Sequence, residues 1–423
     1  MKKLIPYIFA ILPIALQGQT ISIQQLWENA DQNLKYQQNQ LQSQILQQEL
    51  LEIKTNRIPV FYIDANTQRN LITPTTPVPA IAFDPNAREG AIIPLKFATK
   101  WSSKAGLQVE WNIFDPKRKV EEKQKQLEIQ KSELEQKLTL QNWKKEATLA
   151  YASIVFATEQ YNQAQEETKI YQEIVSINKE RYEAGRESSA NYIAAQQELE
   201  RHKIHVYESW SILQEADQEL RKYTNLDSIQ NLSSNFNDIK NDIQGLDNTN
   251  YDVKSLEVDK NISDLQLASV KKLLLPTLSF NGYLGEQYFS NELKLSRKED
   301  WFGNSFANLA VRIPLSGYFT TQPTIRKIAL NADFIDKQLQ DITHNDNIDA
   351  IQRKLKMITV EKKIESFHKI EKLALQNKNE QHEAYKAGRI LLTDYSQALM
   401  NYKKAKQDIW QAEYDLLQIL IDK

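Results

Sequence analysis

Glu198, His202 and His205 stand at i, i+4 and i+7, so one helix face would present a carboxylate and two imidazoles, ligand types that hold zinc. No cysteine accompanies them. That excludes thiolate ligands, disulfides, a cysteine nucleophile and a lipid-modified N-terminal cysteine. The surrounding sequence is polar, and the trio reads as a solvated helix face. His344-Asn345-Asp346-Asn347 has the composition of a calcium loop but lacks its glycine, and it sits in helix-favouring sequence. The chain has no Gly-rich phosphate loop, no G-x-S-x-G elbow and no carboxylate pair that stands out among its many acids. With 3 Met and 5 His, it offers no thioether- or imidazole-rich lining for metal export. Nothing in these residues calls for an enzyme, a metal or another cofactor.

The more telling spacing is that of two turns. Tyr182-Glu183-Ala184-Gly185-Arg186 and Tyr385-Lys386-Ala387-Gly388-Arg389 both read Tyr-x-Ala-Gly-Arg, 203 positions apart, and a further tyrosine follows ten residues after each, at Tyr192 and Tyr395. Gly185 and Gly388 interrupt long polar, helix-favouring tracts. Glycine tolerates left-handed backbone angles and so closes helices. The spacing predicts two long helical hairpins in an internally duplicated chain.

Composition sets the frame for these hairpins. Of 423 residues, 41% are hydrophobic, lean for large globular cores and suited to long solvated helices. A net charge of -2 argues against a nucleic-acid partner, which would call for a basic excess. Lys2 and Lys3 precede an apolar run from Leu4 to Leu16, and residues 1–19 read as a secretory signal peptide. No later segment approaches the roughly 18 consecutive apolar residues of a transmembrane helix.

Prolines then divide the map. After the signal they lie only in two windows, Pro59 to Pro116 and Pro276 to Pro323, and the tracts between are free to be helical. The first repeat, 20–248, is expected to hold a helix over 22–57, strands at about 58–70 and 101–115, and a surface loop over 71–100. A long helix over 117–183, a turn at 184–188, a helix over 189–223 and a polar linker over 224–248 complete it. The second repeat, 249–423, is expected to hold a helix over 249–274, strands at about 276–289 and 303–316, a long helix over 323–386, a turn at 387–391 and a helix over 392–422. Trp143, Ala147, Ala150, Ile154, Ala157, Tyr161 and Ala164 follow a 4-3 spacing, a coiled-coil seam whose alanines admit close approach.

The strands carry one apolar face each. Leu107, Val109, Trp111 and Ile113 alternate with polar residues, as do Leu309, Val311, Ile313 and Leu315. The long helices are committed to their own seams, so no apolar layer remains to cover these strands. Lipid suits the apolar face and a water-filled lumen the polar one. Open sheet edges leave backbone groups unsatisfied in lipid, so several copies must close the sheet. Trp101, Tyr288, Phe289, Trp301 and Phe302 fall near strand ends, as interface-girdle aromatics would; the alternative is that they are ordinary buried aromatics. The alternative is a soluble periplasmic coiled-coil scaffold, which gives no reason for the strands.

These features together resemble the TolC family of outer-membrane efflux channels: the signal peptide, two helix–Pro–strand starts, strand ends at Ile113-Phe114-Asp115 and Ile313-Pro314-Leu315-Ser316-Gly317, and the doubled Tyr-x-Ala-Gly-Arg turn. The resemblance covers essentially all of the mature chain. It implies an α+β membrane protein and a homotrimer, with long helical hairpins forming an α-helical barrel in the periplasm and four strands per chain completing a 12-stranded transmembrane β-barrel. It further implies a cell outer membrane location, a contact with outer-membrane lipid, a periplasmic membrane-fusion adaptor and, through it, an inner-membrane pump. The implied role is an exit duct for small molecules, or alternatively for type I protein secretion.

Residue roles follow from the same resemblance. Ala184, Gly185 and Arg186, with Ala387, Gly388 and Arg389, match the tips that contact the adaptor. Tyr385 matches a tyrosine of the closed tip, and Asp394 matches the first acid of a periplasmic gate, where three copies would ring the pore and favour cations. Asp394 also suits a helix N-terminus on electrostatic grounds alone. The pattern departs at Gln397, where a second acid would stand, and at Ile390, where a gating arginine would stand; Arg389 is the nearest substitute. Asn191 occupies the place of Asp394 in the first repeat.

Overall fold

In the computed structural model of the chain, residues 20–224 and 231–422 are described. The expected signal peptide, and residues 225–230 of the expected linker, lie outside the described residues. The chain divides into two compact units. One comprises the chain up to Leu41, Glu133–Lys254 and Leu339 onward; the other comprises Gln42–Ser132 and Ser255–Gln338. Eight α-helices are described: α1 (Ile23–Glu28), α2 (Leu34–Thr55), α3 (Arg118–Glu183), α4 (Ser189–Arg221), α5 (Phe236–Ile243), α6 (Tyr251–Val270), α7 (Gly317–Lys386) and α8 (Leu392–Ile421). None of them is long and apolar enough to cross a membrane. The four long strands are β1 (Val60–Arg69), β2 (Trp101–Phe114), β3 (Thr277–Ser290) and β4 (Trp301–Arg312).

The four strands form one antiparallel sheet in the order β1-β2-β3-β4. Its central pair, β2 with β3, joins the two halves of the chain, and β1 and β4 each keep one edge open among the described residues. Register sorts the side chains by face. Leu107 lies opposite Ile63 and Leu284, Val109 opposite Phe61, and Phe280 opposite Trp111 and Leu309. Strand side chains alternate, so these apolar residues share one face. It lies open: Ile63 is 81% exposed, and Leu284, Leu309 and Val311 are also exposed. The opposite face carries Tyr62, Asp64, Lys104, Gln108, Glu110, Asn281 and Asn308. There Tyr62 Oη donates to Glu110 at 2.5 Å and Lys104 Nζ lies 3.5 Å from Asp64.

Aromatics gather at one end of this sheet. Trp301 lies beside Tyr288, Phe302 beside Phe289, and the Arg69 guanidinium sits 5.4 Å over Trp101. Tyr288, however, is fully buried, with its hydroxyl bonded to Glu292 O and Lys294 N. It packs a turn rather than facing outward. Below the strands, in the same unit, Lys125 pairs with Glu49 and Glu128, Lys131 with Asp259, and Lys260 with Asp336.

The other unit is built on the α3 seam. Trp143, Ala147, Ala150, Ile154, Ala157 and Ala164 are buried and Tyr161 is half-buried. Against its N-terminal part pack α1, α5 and the end of α8, through Ile23, Leu26, Ile239, Ile243, Leu417 and Ile421. Tyr151 fixes the junction: its hydroxyl donates to Ile21 O at 2.8 Å and accepts from Ser234 N at 3.0 Å.

Several boundaries differ from the sequence expectations. Residues 22–57 are not one helix: Asn33 Oδ1 accepts from Tyr36 N at 3.0 Å and caps α2 separately from α1. Within 224–248 lies α5, an amphipathic helix started by a capping box in which Asn235 accepts from Asp238 N and Asp238 accepts from Asn235 N. Within 71–100, Thr76–Pro79 and Ile92–Leu95 pair as a small antiparallel ladder. β4 ends at Arg312, because Pro314 has no N–H to give to a ladder, so Ile313 and Leu315 lie beyond the strand. Ile113 falls where the β2–β3 register shifts between Asn112 and Phe114. α7 begins at Gly317, with Pro323 inside it. A proline this near a helix start removes a single ladder bond, so the helix runs through it.

Candidate functional site

Both turns are built the same way at the backbone. Gly185 has φ +68° and Gly388 φ +73°. Gly185 N bonds to Tyr182 O and Arg186 N to Arg181 O; Gly388 N bonds to Tyr385 O and Arg389 N to Ala384 O. These 5→2 and 6→1 pairs are a Schellman closure, whose positive φ favours glycine. The helix after each turn starts differently. Ser188 Oγ accepts from Asn191 N at 3.1 Å, with Glu187 accepting from the Asn191 amide at 2.7 Å. In the second copy Leu391 has no acceptor in its side chain. There Asp394 reaches back to Leu391 N at 3.4 Å, completing half of a capping box.

The tyrosines stack in both copies, Tyr182 with Tyr192 at 5.8 Å between ring centroids and Tyr385 with Tyr395 at 5.4 Å. Only the second pair is buried. Tyr385, Tyr395, Tyr171, Ile174, Ala195 and Leu399 form one cluster between α3, α4, α7 and α8. Around it lies a ring of polar bonds. Asn178 Nδ2 donates to Tyr385 Oη. Arg181 Nη2 donates to the carbonyls of Tyr385 and, at 3.2 Å, of Lys386, and its guanidinium lies 5.0 Å over the Tyr385 ring. Glu173 pairs with Lys386 at 2.7 Å, and His382 Nδ1 lies 2.8 Å from Tyr395 Oη.

These contacts shift the titrating groups. Hydrogen bonding to the Lys386 ammonium holds the Glu173 carboxyl below its usual range, and the same bond raises Lys386. Burial pushes the Tyr385 phenol up, opposed by Asn178 and Arg181. Burial likewise raises Tyr171 and Tyr395. The site can hold aromatic hydroxyls neutral inside a ring of fixed dipoles and charges.

The residues singled out from sequence do not all meet. Tyr385 is buried, whereas Asp394 and Gln397 are exposed, the latter bonded to Asn401 at 3.0 Å. Ala184, Gly185, Arg186, Ala387, Gly388 and Arg389 are all exposed at the turns. Arg389, beyond the end of α7, lines a shallow depression with Glu380 and Glu383; the arginine in the cluster is Arg181. Gln397 also lines a groove of about 1160 Å³ between α4 and α8, together with Asn178, Arg181, Asn191 and Lys404.

Glu198, His202 and His205 diverge. Glu198 pairs with Arg201 at 2.7 Å and His205 with Glu208 at 3.1 Å. His202 stacks on Tyr171, ring centroids 3.9 Å apart, and faces the buried Glu167. No group of three or more His, Asp or Glu among the described residues could hold a metal ion. Asp346 accepts from Asn250 at 2.7 Å within α7.

Asn178, Arg181, Glu173 and His382 escaped the sequence reading. The signal was present in part: beyond Ala164 the 3-4 spacing continues through Glu167, Tyr171, Ile174, Asn178 and Arg181. Polar residues at seam positions mark the place where a coiled coil meets a specific partner.

No family model matches the sequence, and no curated protein matches it. Solved structures do. The outer-membrane channel CmeC of Campylobacter jejuni is 17% identical with a TM-score of 0.64, over 95% of this chain and 84% of that one. VceC, an outer membrane protein of Vibrio cholerae, is 13% identical with a TM-score of 0.68, over 95% of each chain. The open state of the MtrE outer-membrane channel of Neisseria gonorrhoeae is 14% identical with a TM-score of 0.69, over 95% of this chain and 87% of that one. At such identities the likeness is one of fold: the chain has the fold of these outer-membrane channels, the fold that its resemblance to the TolC family implies.

Proposed function

We propose that the protein is a passive outer-membrane exit duct, a homotrimer that conducts small molecules out of the periplasm and performs no chemistry of its own. The observation that carries this reading is the sheet. Its apolar face is exposed, its other face is polar, and its two outer edges are open. Three copies would pair β4 of one with β1 of the next, closing a 12-stranded barrel with lipid outside and water within. Leu107, Val109 and Trp111, with Leu309 and Val311, would face lipid; Ile113, Ile313 and Leu315 would sit at its periplasmic rim.

In this reading the helical hairpins of the three copies form the periplasmic tunnel. The turns at Gly185 and Gly388 meet a membrane-fusion adaptor, and an inner-membrane pump supplies the energy. Tyr385, Asp394 and Gln397 stand at the periplasmic gate, with Asp394 repeated about the threefold axis. The likeness to solved outer-membrane channels over nearly the whole chain supports this.

The test is fractionation followed by reconstitution. The protein should need detergent for extraction from outer membranes, run as a trimer and give discrete conductance steps in planar bilayers. Recovery as a soluble periplasmic protein would overturn the duct and favour a coiled-coil scaffold.

A further inference from the structure

Phe289 and Phe302, which the sequence marks as girdle aromatics, do not share the face of Leu107 and Leu284. Register sets Phe306 opposite Tyr283, Phe302 opposite Gln287 and Phe289 opposite Ser102. Alternation along the strands puts all three phenylalanines on the polar face, with Lys104, Gln108 and Asn281. All three are exposed there. They lie in the half of the sheet away from the strand ends that lead to α6 and α7.

A packed floor supports them. Gly106 and Gly285 stand opposite each other on β2 and β3, and the Tyr283 ring lies across both. A Cβ at Gly106 would come within 2.7 Å of Tyr283 Cζ, and one at Gly285 within 2.5 Å of Tyr283 Oη. Phe306 stacks on the buried Tyr283 ring with centroids 6.0 Å apart, and Lys104 Nζ lies 4.1 Å from its centre. Phe289 and Phe302 lie side by side at 6.4 Å. The charges of this face balance: Asp64 and Glu110 stand against Lys104 and Arg312. Lys104 is paired with Asp64 at 3.5 Å, and Glu110 accepts from Tyr62 and Gln108. The face thus has no strong preference for one sign of charge. A water-filled lumen calls for polar side chains, so exposed rings on this wall need another reason.

We propose that Phe289, Phe302 and Phe306 form a cargo-contact site on the lumen wall, and that its occupant is a small molecule with a planar aromatic ring. This rests on the exit-duct reading above. Offset ring contacts favour an aromatic cargo over a saturated one of equal size and charge. The balanced charges fit selection by ring rather than by sign. Three copies would set three such patches around one lumen.

The experiment measures block of single trimers in planar bilayers by two monovalent cations of similar size, benzyltrimethylammonium and cyclohexylmethyltrimethylammonium. Their charge is the same, so the ratio of their half-blocking concentrations reports the ring alone. Wild type should bind the benzyl compound about threefold to tenfold more tightly. Phe302→Leu combined with Phe306→Leu keeps apolar bulk and should bring the ratio close to one. Asn304→Ala, between them on the same face, serves as the control and should leave the ratio as in wild type.

Equal block of the wild-type pore by both compounds would overturn the aromatic site, and so would a wild-type ratio in the double variant. If the double variant does not insert, Phe302→Leu alone decides: a reduced ratio supports the site and an unchanged one overturns it. A wild-type protein that forms no pore refutes the duct itself, a different failure from a pore that does not distinguish the two rings.

Discussion

The two turns share a backbone and differ in almost everything attached to it. Gly185 and Gly388 have φ within a few degrees of each other, and the same carbonyls are closed by the same amides. Yet Tyr182 is 44% exposed and Tyr385 only 1%. One helix start is capped by Ser188 and the other by Asp394. What the copies keep is the part specified locally, by a glycine that admits positive φ. What they lose is the outward chemistry. The first turn presents its side chains to solvent. The second is folded into a cluster and held by residues of α3. The duplication thus supplies two turns with one backbone closure, of which the first is exposed and the second is packed against α3.

The sharpest way to break this comparison is to charge both glycines. Any side chain at these φ values costs about 1–2 kcal/mol, and a Cβ meets nothing within 4 Å at Gly185 but lies 3.9 Å from Arg181 Nη2 at Gly388. Gly185→Glu and Gly388→Glu should both abolish export while leaving the trimer in the outer membrane. They should do so differently. Gly388→Glu draws Arg181 toward a new carboxylate and should change conductance without any pump present; Gly185→Glu should not. Equal effects on conductance would mean that the first turn is as tightly held as the second. Full resistance from either variant would remove that turn from the adaptor contact.

Next in size is the tyrosine pair. Removing a buried aromatic ring costs about 3 kcal/mol or more, whereas surface truncations stay within about 0.5 kcal/mol. Tyr385→Ala should lower the unfolding midpoint of the detergent-solubilised protein clearly, and Tyr182→Ala should barely move it. Similar shifts for the two would show that Tyr182 also becomes buried in the trimer. Smaller still are the caps. Ser188→Ala should cost about 1 kcal/mol through its lost bond to Asn191 N. Asp394→Ala should cost less, because its capping bond is long at 3.4 Å, but it should change cation selectivity where Ser188→Ala does not. Unchanged selectivity would leave Asp394 as a cap alone.

Much of the architecture was legible because it repeats or alternates. The glycines, the alanine seam from Ala147 to Ala164 and the alternation of Leu107, Val109 and Trp111 are local patterns, and each depends on a period that a single segment displays. The misses share a cause as well. α5 hides in a polar stretch because only three apolar residues, Phe236, Ile239 and Ile243, carry its inner face. β4 stops early because Pro314 lacks an N–H, although the apolar alternation runs on to Leu315. Arg181 and Asn178 were invisible as a site because their partners, Tyr385 and Lys386, are more than 200 positions away. Nothing in the local sequence distinguishes an arginine that bonds to another helix from one on a solvated face. The glutamate of the cluster, Glu173, has the same disguise.

Glu173 also yields the gentlest test of the held turn. Its carboxyl is kept below the usual glutamate range, chiefly by its bond to Lys386. An acid whose folded value is depressed adds stability above its unfolded value, about 4.3, and loses it as pH falls through the lower folded value. Lys386, raised by the same bond, keeps its share below about 10.4 and loses it only as pH climbs beyond that. Between those limits the pair should be indifferent to pH. The side chains are 43% and 45% exposed, so solvent screening keeps the contribution small. The expected contribution of this pair to the trace is a modest rise in pore conductance below about pH 4, apart from any change that His382, 4.0 Å from Glu173, makes at higher pH. Glu173→Gln should remove that acid-side rise by making the weakened state permanent. The first turn has Gln376 at the place matching Glu173 and Glu183 at the place matching Lys386, so it has no such pair to titrate. An acid-side change that persists in Glu173→Gln would therefore assign the pH response elsewhere and leave the held turn without its outermost clamp.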